Sequence, residues 1–96
     1  MATLLKIDGT KTEVSPKNKR NGFTLQEVYD LIGCRMVELV GPMDDDRCML
    51  VDEEGKLKQG WETRINSQAT NMYRTRFGIS DVIVGNALLV TNKEFK

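Results

Sequence analysis

Thr24-Leu25-Gln26-Glu27-Val28-Tyr29-Asp30-Leu31-Ile32-Gly33 is the stretch on which the fold turns. Thr24 followed three residues later by Glu27 is a capping box, and Phe23 and Val28 stand where a hydrophobic staple would pack, so a helix begins here. Leu25, Val28, Tyr29, Leu31 and Ile32 give that helix an apolar face. Gly33 ends it by supplying the positive φ of a left-handed cap.

Upstream, Thr3 to Ile7 is a β-compatible run, Asp8-Gly9 a turn signal, and Thr10 to Ser15 a second strand, which together predict a hairpin. Pro16 to Gly22 has the chemistry of a loop. Downstream, Met36 to Val40 and Arg47 to Val51 predict another hairpin across Gly41-Pro42 and three aspartates. Asp52 to Gly55 is a tight turn, Lys56 to Gly60 extends a strand or loops, and Trp61 is expected partly in the core.

Ala69, Met72, Tyr73 and Phe77 share a face of a second helix, Asn66 to Phe77, capped by Asn66 or Ser67 and stopped by Gly78. Val82 to Val84 and Ala87 to Val90 form the last apolar stretch, broken at Gly85-Asn86 by a bulge or turn. Met1 and the charged segment Asn92 to Lys96 read as ordinary termini. The order is ββαββαβ. It predicts an α+β domain with a mixed or antiparallel sheet and both helices on one face, burying their apolar stripes together.

The chain of 96 residues fits one domain, 1–96, because two cores would leave each half too small. Fourteen basic residues balance fourteen acidic ones, so no long-range field steers it to nucleic acid, which is not an expected partner. Lys11, Lys17, Lys19 and Arg20 crowd the early part; Asp44, Asp45, Asp46, Asp52, Glu53 and Glu54 crowd the middle, both as loop charge. No apolar run approaches the roughly 20 residues of a membrane span, and no signal peptide opens the chain, which predicts a cytoplasmic protein with Cys34 and Cys48 reduced.

The chemistry is narrowed by what is missing. The chain contains no histidine, so the usual base for a serine or cysteine nucleophile is absent. Cys34 follows a helix C-terminus, the wrong pole to stabilise a thiolate. Two cysteines without CxxC spacing do not make a structural zinc site, and the acidic turns lack EF-hand spacing. No phosphate-binding glycine loop or nucleophile elbow is present. The expectation is a non-enzymatic protein without catalytic residues, metal or cofactor.

Binding remains. Trp61, Arg64, Asn66, Asn71, Arg74 and Arg76 gather around the second helix, with Tyr73 nearby, and are residue types that contact phosphate or a stacked base. The competing reading is a solvated helix face.

Tyr29-Asp30-Leu31-Ile32-Gly33-Cys34, Val37-Glu38-Leu39-Val40, Leu50-Val51-Asp52-Glu53-Glu54-Gly55-Lys56-Leu57, Asn66, Ala69-Thr70 and Asp81 to Val90 together resemble a family of small domains of unknown function from phages, plasmids and the bacteria carrying them. The resemblance runs from Phe23 to Val90. Asn66-Ser67-Gln68-Ala69-Thr70 keeps the family's Asn-x-x-Ala-Thr spacing, while Gly60-Trp61-Glu62-Thr63-Arg64 departs from the stretch usual before it. The resemblance implies a setting in mobile elements and supplies no catalytic residues. It leads to the expectation of a counter-defence or host-regulatory binding protein, possible as a homo-oligomer, that sequesters a small nucleotide ligand or blocks a host protein. The alternatives are a small metal-dependent enzyme acting through the acidic turns and a nucleic-acid-associated accessory protein.

Overall fold

The computed structural model describes residues 2–78, 80–91 and 93–95. Helix α1 (Leu25–Ile32) carries the complete capping box: Thr24 Oγ1 accepts from Glu27 N at 3.1 Å and Glu27 Oε1 accepts from Thr24 N at 2.9 Å. Gly33 closes it at φ 81°, its N–H donating to Tyr29 O. The second helix, α2 (Ser67–Phe77), starts at Asn66 and stops at Gly78, also left-handed. Both helices therefore lie where their caps predict.

The strands are β1 (Ala2–Leu5), β2 (Lys11–Val14), β3 (Val37–Val40), β4 (Arg47–Asp52) and β5 (Ala87–Thr91). They form one antiparallel sheet in the order β2-β1-β5-β4-β3, so the last strand in the chain fills the middle. Element order and the two hairpins follow the sequence expectation. Lys56 to Gly60 makes no strand; Gly55–Leu57 is a short 3-10 turn, and a second such turn spans Trp61–Arg64. Val82 to Val84 also forms no strand; Val84 makes an isolated antiparallel bridge with Ile65, outside the sheet.

The helices do not share a face. Leu4, Leu50, Leu88 and Val90 pack with Val28 and Ile32 of α1, whereas their strand neighbours Leu5, Met49, Val51, Ala87 and Leu89 pack with Ala69 of α2. Because side chains alternate along a strand, these two sets point to opposite sides of the sheet. One helix therefore covers each face. The reason is the composition of β4 and β5: continuous apolar runs leave both faces hydrophobic, and one-sided cover would expose half of them. Each fully buried Leu, Ile or Val contributes about 1.5–3 kcal/mol, enough to enforce cover on both sides.

The terminal segment is more than a solvated tail, although Met1, Asn92 and Lys96 lie outside the described residues. Phe95 packs against the α1-side core, and Glu94 O accepts from Phe23 N at 2.6 Å. Gly22, at φ 80°, passes directly beneath that carbonyl, where any Cβ would collide.

Candidate functional site

Asn66 is fully buried and acts as a joint. Its Oδ1 accepts from Ala69 N at 3.0 Å, capping α2, while Nδ2 donates to Leu5 O at 2.8 Å and to Gly85 O at 3.0 Å. One turn on, Thr70 Oγ1 accepts from Ile83 N at 2.9 Å. Ala69, fully buried between them, lets the helix approach the sheet. The Asn-x-x-Ala-Thr spacing thus locks α2 to the irregular segment before β5. Asn66 is not available to a ligand.

That irregular segment explains other residues expected to bind. Outside a sheet, its carbonyls need donors. Arg74 Nε donates to Asp81 O and its Nη2 to Ser80 O, both at 3.0 Å. Arg64 contributes its own carbonyl, which accepts from Gly85 N at 2.8 Å, and its half-buried side chain passes by Gly85. Trp61 is half-buried at the start of its 3-10 turn and belongs to neither core cluster.

Asn71 and Arg76 do converge. They line an open groove of about 540 Å³ between α2 and the β3–β4 turn, over Met43 and Met72. Arg76 Nε is fixed on Pro42 O at 3.0 Å, with its guanidinium 5.5 Å from the Phe77 ring centroid. On the far wall Asp44 grips Arg47 through Nε at 2.7 Å and Nη2 at 2.6 Å, and this hydrogen bond holds the Asp44 carboxyl below its ordinary value. Of the six residues proposed from sequence, two meet in one groove, and both are exposed there.

Each acidic turn is bonded through its first aspartate. Asp44 also accepts from the Asp46 and Arg47 amides, and Asp52 accepts from Glu54 N and from Lys58 Nζ at 2.7 Å. A smaller cleft of about 230 Å³ lies between Tyr73, Val82 to Val84 and the β3–β4 hairpin, where Lys56 pairs with Asp81 and pulls that carboxyl's pKa down. Among the described residues, no three Cys, Asp or Glu side chains are grouped to hold a metal ion. Cys34 is half-buried, and burial, with Asp52 nearby, pushes its thiol up, away from the reactive thiolate.

A further feature escaped the sequence reading: the free edge of β3. Met36 O accepts from Glu53 N at 3.1 Å on the β4 side. By antiparallel alternation, Val37 and Leu39 then direct their own N–H and C=O groups outward. Leu39 is 59 % exposed beside buried Leu50, and Met36 is 48 % exposed. The opposite edge, β2, is exposed but carries Lys11, Thr12 and Glu13, a charged edge that discourages pairing. The signal for β3 was its Val-Glu-Leu-Val composition, an apolar strand too short to reveal which side lacks a neighbour.

The chain belongs to the family described as Domain of unknown function (DUF3846), whose model matches residues 2–96, in keeping with the resemblance carried by its central and C-terminal segments. No curated protein and no solved structure matches it.

Proposed function

We propose that this chain is a non-enzymatic binding protein of a mobile genetic element that serves counter-defence or host regulation by covering the surface of a partner protein. The observation that carries this reading is the β3 edge, where outward backbone groups at Val37 and Leu39 coincide with exposed apolar side chains at Met36 and Leu39. An edge of this kind takes up an extended segment through main-chain hydrogen bonds, with alternate side chains supplying specificity. The engagement of Arg74 and Asn66 in internal bonds favours this over a nucleotide site built on all six candidate residues.

The test is capture of partners from a host lysate by the intact protein and by Leu39→Lys, which keeps the fold because Leu39 is exposed. A partner held by the natural chain and lost with Leu39→Lys supports the reading. Capture indifferent to that change, or substrate turnover by the purified protein, overturns it.

A second reading rests on Asn71 and Arg76 in the groove over Met43 and Met72. A small nucleotide-type anion would be held there by the guanidinium and the amide, with methionines beneath a base. Thermal stabilisation by one member of a nucleotide panel, abolished in Arg76→Ala, supports it; unchanged melting across the panel removes it.

A further inference from the structure

We infer that the β3 edge pairs with the β3 edge of a second copy of this chain, joining two five-stranded sheets into one across a twofold axis at Leu39. This rests on the reading of that edge as the docking surface and names its occupant. The self-paired form is the resting state, and another partner has to displace it.

Three observations converge on self-recognition. The first is hydrogen-bond parity. Leu39 points both backbone groups outward, so two antiparallel copies can exchange a pair of bonds between Leu39 and its counterpart, with Val37 facing Gly41 on either side. The second is the choice of register. Side chains on paired residues share a face, so a twofold must centre on a residue, and Glu38 and Leu39 are the centres that keep most of the four-residue strand paired. Centring on Glu38 would set two carboxylates directly opposite each other, which is destabilising. Centring on Leu39 instead lays the two most exposed apolar side chains of the strands against one another and places Glu38 beside Val40.

The third is charge complementarity. Arg35 precedes β3 and the Asp44-Asp45-Asp46 turn follows it. Asp44 is engaged by Arg47, while Arg35, Asp45 and Asp46 are exposed and make no ion pair among the described residues. Antiparallel pairing at Leu39 brings Arg35 of each copy alongside the aspartate turn of the other, at both ends of the joint. Asp52, opposite Val37 on the neighbouring strand, is already bonded to Lys58. A four-residue strand buries little surface, so the dimer is of the weak, concentration-dependent kind.

Sedimentation equilibrium of the full chain tests this. Natural protein should rise from 10.9 kDa towards twice that mass with concentration, and Leu39→Lys should stay at the monomer mass with unchanged circular dichroism. Arg35→Glu should weaken association about tenfold, and adding Asp45→Lys with Asp46→Lys should restore it. Glu38→Gln should leave it nearly unchanged, since the glutamates do not meet in this register. A natural chain that remains monomeric, a dimer indifferent to Leu39→Lys, no charge-swap rescue, or strong tightening by Glu38→Gln each overturns the proposal. A monomer that still captures a partner through Leu39 sinks self-pairing alone, whereas a monomer that captures nothing sinks the docking reading as well.

Discussion

The side-chain amide of Asn66 donates to the carbonyl of Leu5, 61 positions earlier in the chain, at 2.8 Å inside the protein. The same amide holds Gly85 O and caps α2, so one side chain ties together the end of β1, the start of a helix and the entry to β5. Asn66→Ala leaves the Leu5 and Gly85 carbonyls without this donor and removes the cap. It should cost about 2–4 kcal/mol, read as a lower urea midpoint at unchanged slope. Asn66→Asp keeps the cap acceptor but turns a carboxylate towards two carbonyls, and should be no better than alanine.

Gly22 and Gly33 have nearly the same backbone angle, φ 80° and 81°, in different surroundings. A Cβ at Gly33 meets nothing within 4 Å, whereas at Gly22 it strikes the Glu94 carbonyl. Gly33→Ala should therefore cost about 1 kcal/mol, the conformational term alone. Gly22→Ala should cost clearly more and release Phe95 from the α1 side, visible as increased hydrogen exchange at Phe23 N.

Acid sensitivity should track the bonded carboxylates, among them Glu27, Asp44 and Asp81. Glu27 lies below its ordinary 4.5 chiefly because it accepts from the Thr24 amide, with a second bond from Lys17 N; Asp44 and Asp81 lie below 3.8, held by Arg47 and Lys56. A folded pKa below the unfolded one means stability fully present above the unfolded value and lost as pH falls through the folded one. Denaturation midpoints should hold steady down to the ordinary carboxylate values and then decline. In Glu27→Gln, which cannot accept from Lys17 through a second oxygen, the protein should be weaker at neutral pH and its acid decline shallower. An unchanged acid profile would show that Glu27 is bonded equally well in the unfolded chain.

Arg74 and Arg76 stand two positions apart and should behave differently. Arg74→Ala removes the donors for Ser80 O and Asp81 O, so hydrogen exchange should quicken at Val82 and Ile83 while the groove of Asn71 is untouched. Arg76→Ala should leave those amides protected and alter only a response to anionic ligands. Equal effects of the two substitutions on exchange would contradict this division.

Local features were legible in the sequence because their partners are close in the chain. The Thr24–Glu27 box, Gly33, the Asn66 cap and Gly78 each concern a single turn of backbone. What escaped depended on distant strands. Asn66 was readable as a cap but not as a donor to Leu5. Cys48-Met49-Leu50-Val51 and Ala87 to Val90 did contain the evidence for two-sided burial, since an uninterrupted apolar run marks a strand covered on both faces. Arg74 misled because a basic side chain that bonds carbonyls of an irregular segment looks, in sequence, like one awaiting an anion. Arg76, though bonded to the Pro42 carbonyl, still reaches the groove beside Asn71.

Placing β5 between β1 and β4 also fixes an order of assembly. During synthesis both hairpins emerge before their common neighbour, so each presents an apolar edge that its own sequence cannot satisfy. Native sheet contacts must then close across most of the chain, a topology that slows folding and prolongs exposure of those edges. A nascent chain halted before Ala87 would hold two hairpins with no shared strand to join them, and the protein would gain its central layer in one late step.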